Sequence, residues 1–188
     1  MQNNNHGQYI RFLNASDCDG IDFYMFNTLE FADAKPGSFC EYRKTAHGTC
    51  TFKACKAHSK EIVASTFADI KPDTLHIVCA VGSGDSLSLY AIEEKADSVD
   101  SKYAHLRICM LNSKTKPSDM TANGHNVICN ISPMDVSEYV AFLPGTYTIE
   151  LKKSGTDDVF VKTEKHHLDA GKRYSVFVCE NNFKTIIL

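Results

Sequence analysis

The chain has 188 residues, 23% of them charged and 43% hydrophobic, with a formal net charge of −3 at pH 7. That balance excludes a disordered chain, and both signs are interspersed without any lysine- or arginine-rich block among aromatics, which excludes the footprint of a nucleic-acid binder. No basic segment leads into an apolar run, and no stretch approaches the roughly eighteen apolar residues of a membrane helix, so neither an export signal nor membrane insertion is expected.

An Asn-rich arm, MQNNNHGQ over residues 1–8, precedes the first apolar stretch, YIRFLNAS over residues 9–16. Sliding the sequence against itself, the operation that exposes duplicated units, gives a match at an offset of 97. Ser16 meets Ser113, Asp22 meets Asp119, Pro36 meets Pro133, and Glu41-Tyr42 meets Glu138-Tyr139. Gly48, Thr49, Thr51 and Lys56 meet Gly145, Thr146, Thr148 and Lys153, which makes nine ungapped identities. Beyond that span the register drifts, with YIRFLNAS against HLRICMLNS and TLHIVCAVG against RYSVFVCEN. The copies are therefore placed at 9–92 and 103–188, separated by the polar segment 93–102 as a linker.

Each copy reads as strands. SLSLY (86–90), YTIEL (147–151) and YSVFV (174–178) are alternating or fully apolar. KPGS, GSGDS, LPGT, SGTDD and DAGK supply turns between them. With no convincing helical stripe and turns every eight to twelve residues or so, the pattern predicts two tandem β-sandwiches of about seven strands each.

The opening YIRFLNAS, the Asp-rich turn before DFYMFN, the EY pair, LPGTYTIEL and LDAGKRYSV together resemble the bacterial domain-of-unknown-function 4397 family, in two copies covering residues 9–188. The resemblance implies an Ig-like or related sandwich used as a surface module, and it implies no catalytic residues. Asp17-Cys18 stands where the family pattern has proline after Ala-Ser.

Several stretches carry chemistry on their face. HGTCTFKACKAH (47–58) sets Cys50 and Cys55 between His47 and His58 like four zinc ligands. The repeat matches the histidines to turn residues at either end of one strand, roughly 30 Å apart at ~3.3 Å per residue, which is too far for one ion. The odd spacing of Cys50 and Cys55 puts them on opposite faces, so the reading is a strand with Cys50 inward and Cys55 outward. Asp17, Asp19 and Asp22 around Gly20 have the flavour of a calcium loop but lack its spacing, and Asp-Gly is ordinary turn chemistry. Glu164 with His166 and His167 reads as a polar edge, and GSGDS lacks the spacing of a nucleophile elbow. No metal, cofactor or catalytic group is expected.

The first copy holds Cys18, Cys40, Cys50, Cys55 and Cys79, and the second holds Cys109, Cys129 and Cys179. Both counts are odd, so complete oxidation would require a bridge leaving its own copy. Cys55 and Cys18 are the expected partners for it, joining domains or subunits. The arm reads as a disordered tail, with strand donation to another chain as the alternative, and the final FKTIIL reads as a strand completing its own sandwich.

These features lead to a non-enzymatic building block that self-associates at a cell or spore surface, in a coat or fibrous appendage, joined by disulfides or strand exchange. The alternative is a soluble or surface module that binds carbohydrate, such as a surface glycan, or peptide through loops at one end of a sandwich, and the alternative location is cytoplasmic. The chain has no tryptophan for a sugar platform, but it has eight tyrosines and eleven phenylalanines.

Overall fold

The computed structural model describes residues 7–94, 99–180 and 185–187. The chain divides into two compact units, residues 1–97 and 98–188. Both are all-β, and a single 3-10 turn, Gly84–Ser86, is the sole helical element among the described residues.

The first unit has eight strands: β1 (Gln8–Asn14), β2 (Ile21–Met25), β3 (Thr28–Ala34), β4 (Arg43–Thr45), β5 (Gly48–Lys56), β6 (Ile62–Ile70), β7 (Leu75–Val81) and β8 (Ser88–Glu94). They form two four-stranded sheets, ordered β4-β1-β7-β8 and β3-β2-β5-β6. The second unit repeats the scheme with β9 (Ala104–Met110), β10 (Ser118–Ala122), β11 (His125–Ile131), β12 (Val140–Phe142), β13 (Gly145–Tyr147), β14 (Ile149–Lys153), β15 (Val159–Lys162), β16 (His166–Leu168), β17 (Arg173–Val178) and β18 (Thr185–Ile187). Its sheets run β12-β9-β17-β18 and β11-β10-β14-β15, with a separate β13-β16 pair.

In both units the first strand lies parallel to a late one, β1 to β7 and β9 to β17. A parallel pair cannot be closed by a short turn, so the intervening strands cross to the opposite sheet before the chain returns. The sandwich follows from that excursion. β7 reads LHIVCAV and is buried at six of its seven positions, the continuous apolar run of a central strand.

Cores form where alternate residues of both sheets meet. In the first unit Phe12, Phe23 and Phe52 are fully buried, with ring centroids 5.2 Å apart for Phe12–Phe23 and 6.1 Å for Phe12–Phe52, distances at which aromatic pairs attract. The corresponding positions in the second unit are Ile108, Met120 and Ile149, also buried. Aliphatic and thioether side chains thus fill the same place with similar bulk.

Several sequence boundaries shift. Among the described residues the first unit has eight strands and the second ten, against about seven expected in each, because short strands line the rims and, in the second unit, YTIEL is broken at Thr148 between β13 and β14. Ser86 ends the 3-10 turn, and the strand of SLSLY starts at Ser88. β8 runs to Glu94, inside the expected linker, and Gln8, expected in the arm, begins β1 and pairs with Thr45 of β4. Residues 1–6 of the arm, and Phe183, Lys184 and Leu188, lie outside the described residues. Thr185–Ile187 pairs antiparallel with β17 of its own unit.

The identity of Asp22 with Asp119 has a structural reason. Each aspartate is nearly buried and sits opposite a β-bulge in the neighbouring edge strand. The Asp22 carboxylate accepts the N–H of Asp33 at 2.7 Å with one oxygen and that of His58 at 3.1 Å with the other. The Asp119 carboxylate accepts from Asn130 N–H at 2.7 Å, Gly155 N–H at 3.2 Å and Ser154 Oγ–H at 2.9 Å. Asp33, His58, Asn130 and Gly155 all have positive φ, between 46° and 74°. One carboxylate therefore fastens the left-handed residue of a bulge to the left-handed residue of a turn.

These bonds, the Asn130 N–H foremost, hold the Asp119 carboxyl below its ordinary pKa. Because the folded value is depressed, the stabilisation is fully present above about pH 4, the unfolded aspartate value, and is lost as pH falls through the lower folded value. Asp119→Ala is expected to cost about 3 kcal/mol or more by stranding buried donors, measured by chemical denaturation. Asp119→Asn should flatten the acid side of the stability profile, and an unchanged profile would remove this assignment.

Candidate functional site

The loop end of the first unit gathers stretches that are far apart in sequence. The β1–β2 loop is held by Asn14, fully buried, whose Oδ1 accepts Ser16 N–H at 3.1 Å and Ser16 Oγ–H at 2.6 Å. Its Nδ2 donates to Cys18 O at 3.0 Å and Ala34 O at 2.8 Å. The β5–β6 turn is fixed from below by Asp22. Between these supports and the 3-10 turn lies an open groove of about 720 Å³, lined in part by Cys18, Asp19, Asp33, Lys35, His58 and Glu61.

Gly20 is what lets these loops close on each other. Its φ is +84°, and a Cβ there would stand 2.6 Å from Asp33 Oδ1 and 2.9 Å from Ala57 Cβ. Ala57 N–H also donates to Gly20 O at 3.0 Å. Lys35 Nζ then lies 3.0 Å from Asp33 and 3.3 Å from Asp19, and these carboxylates raise its pKa. Lys56 pairs with Glu61 at 2.9 Å, and His58 Nε2 is 3.9 Å from Asp33. The charged groups are joined in ion pairs across the rim, an arrangement suited to polar recognition.

The sequence candidates are only partly brought together. Asp19, Gly20, Cys18 and His58 share the groove, whereas both oxygens of Asp22 are committed to backbone N–H groups. Cys50 belongs to the core with Phe52 and Ala54, and Cys55 does not, as the odd spacing required. The expectation of an exposed Cys55 needs correction, however: it is only 4% accessible. Burial, and then the charge of Asp22, raise its pKa and keep it a protonated thiol. The strand was legible, but the burial of its outer face at Cys55 was not.

The cysteines differ in accessibility. Cys50, Cys79, Cys109 and Cys179 are buried, Cys18 and Cys40 are half-buried, and Cys129, on edge strand β11, is exposed. Cys40 has a job of its own. Its Sγ accepts Phe12 N–H at 3.1 Å, and at the matching place Ser137 Oγ accepts Ile108 N–H at 3.0 Å. Burial raises the Cys40 pKa, which suits an acceptor that stays neutral. In the remaining histidine-rich stretch, His166 packs edge-on against Tyr174 and His167 lies 3.6 Å from Asp169.

The EY repeat also acquires a role that sequence reasoning missed. The Arg11 guanidinium carbon lies 4.5 Å from the Tyr42 ring centroid and 5.0 Å from that of Phe39. Arg107 lies 4.8 Å from the Tyr139 ring and donates from Nε to Ser175 Oγ at 2.9 Å. Each repeat thus stacks a first-strand arginine on its tyrosine. The signal was present as aligned Arg and Tyr in both copies, separated by a drift of one residue.

Gly20→Ala is expected to destabilise the protein by about 2 kcal/mol or more, through strain at positive φ together with the clash at Asp33. For Cys40, serine should be tolerated, while alanine should cost about 1–3 kcal/mol by leaving Phe12 N–H without its acceptor. Denaturant midpoints of the three variants check both, and equal effects of Cys40→Ser and Cys40→Ala would refute the acceptor role.

A family model described as a domain of unknown function, DUF4397, matches the chain twice, over residues 8–116 and 104–188. No curated protein matches it. The second match covers the second sandwich and the first covers the first sandwich and runs on through β9, each sandwich having its buried aspartate and its arginine–tyrosine stack, and the chain belongs to the DUF4397 family as a tandem member.

Proposed function

We propose that the chain is a non-enzymatic building block that self-associates into an assembly at a cell or spore surface. The observation that carries this reading is β6, a nine-residue strand at the edge of its sheet. Phe67 stands on it opposite Thr51 with 74% of its surface exposed, and Ile62, at its start, is 55% exposed. A long edge strand with apolar side chains is a template for pairing with another chain. Edge strands that are to stay solitary are ordinarily shortened or charged, as in the four-residue β15 with its Lys162.

Crosslinking is assigned to the accessible thiols, Cys129 on edge strand β11 and Cys18 at the loop groove, in place of the buried Cys55. A disulfide between subunits makes an assembly resist dilution. The non-catalytic reading is supported by the loop-end carboxylates, which are engaged with lysines and backbone N–H groups. A second reading, a glycan- or peptide-binding module, is favoured by the groove of about 720 Å³ in the first unit, since sandwich loops commonly carry recognition.

Electron microscopy and sedimentation of the purified chain, with reducing and non-reducing gels, test the proposal. Ordered polymers or reducible ladders are expected, weakened by Phe67→Lys and, for the ladders, by Cys129→Ser. A monodisperse monomer at high concentration under oxidising conditions would refute self-association and favour the binding module.

A further inference from the structure

We propose that the loop end of the first unit docks on the loop end of the second unit of a neighbouring copy, so that chains join head to tail. This rests on the self-associating reading and names the surfaces that meet.

The two loop ends are built on one plan but carry opposite charge. At the offset of 97, Asp19 corresponds to Lys116, Asp33 to Asn130, and Asp17 to Lys114, while Lys56 and Lys153 are both lysine. In the first unit, Asp19 and Asp33 share the single ammonium group of Lys35, and Glu61 takes Lys56, which leaves negative charge in excess. The Asp19 side chain is 81% exposed and that of Glu61 61%.

In the second unit the corresponding groove, about 300 Å³, is lined by Lys114, Lys116, Lys153, Asp158, Val159 and Phe160 among others. Three of these lining residues are lysines and one, Asp158, is a carboxylate, and with Glu180 beneath Lys114 positive charge remains in excess. Lys114 reaches the buried Glu180 at 3.7 Å. Among the described residues, no carboxylate lies within ion-pair distance of Lys116 or Lys153, and both are exposed.

Both loop ends also carry an exposed apolar lip at matching positions, Ile62 at 55% and Val159 at 45% accessibility. The loops are held in place beforehand. Asn14 fixes the acidic one, and the buried Asn112 fixes the basic one by accepting Lys114 N–H at 2.9 Å and donating to Cys179 O at 3.1 Å. Little ordering entropy is then spent on association.

A second copy fits better than an unrelated partner because each chain carries both complementary surfaces, one of each kind. Opposite charge around an apolar patch sets orientation and rejects like-to-like docking. A contact between two different surfaces is heterologous, and repeating it yields a closed ring or an open filament.

Sedimentation velocity and negative-stain microscopy of the full chain provide the test, comparing wild type with Asp19→Lys/Glu61→Lys and with Lys116→Glu/Lys153→Glu. All four positions are exposed, and circular dichroism with thermal midpoints checks folding. If a reversal pair fails to fold, the milder Lys116→Gln/Lys153→Gln pair replaces it. Wild-type association should fall as salt rises from about 0.01 to 1 M, which shortens screening from roughly 30 to 3 Å. Each reversal should weaken self-association by about tenfold or more, and mixing the two variants should restore assembly because their remaining and reversed surfaces are complementary. Wild-type assembly that neither variant weakens, or mixing that restores nothing, would overturn the head-to-tail contact while leaving self-association standing. A wild-type monomer at both salt concentrations would overturn the contact and the self-associating reading together.

Discussion

A buried carboxylate that fastens two left-handed residues is the constraint around which each unit is organised. Asp22 and Asp119 lie opposite bulges and close onto turns. An extra residue in an edge strand leaves an N–H without a ladder partner, and a positive-φ residue after a strand leaves another. A side-chain amide has one acceptor oxygen, on which both donors would have to converge, whereas a carboxylate presents two oxygens set apart from each other. The carboxylate answers both and thereby sets the bend of the edge strand and the position of the next loop together.

That constraint explains why the loops can diverge while the scaffold does not. Once the bulge and the turn are pinned, the exposed loop residues Asp17 and Asp19, and Lys114 and Lys116 in the second unit, are free of packing duty, while Ala15, Ser16 and Leu111 beside them are fully buried. Asp17-Cys18-Asp19 in one unit and Lys114-Thr115-Lys116 in the other occupy equivalent loops with opposite charge. Scaffold positions change only within their physical role. Cys40 and Ser137 both accept a first-strand N–H, and Phe12 gives way to Ile108 in the core.

The cysteines gain meaning from the same distinction. Most are small apolar residues in packed strands, where burial raises the pKa of Cys50 and Cys55 and withholds thiolate. The thiols left accessible are Cys129 on its edge strand and, in part, Cys18 at the loop groove, and accessibility rather than cysteine number sets them apart.

Sequence by itself determined the duplication, the all-β class, the strand between His47 and His58, and the opposite facing of Cys50 and Cys55. These follow from local facts: a fixed offset, a period of two, and turn residues with special backbone needs. Only the tertiary structure decided that Asp22 serves two backbone N–H groups, that Tyr42 covers Arg11, and that Cys55 is shielded while Cys129 is exposed. Each of these joins residues distant in the chain. An outward side chain in a strand is exposed only if nothing is folded over it, and the burial of Cys55 is a matter of tertiary packing that periodicity does not register.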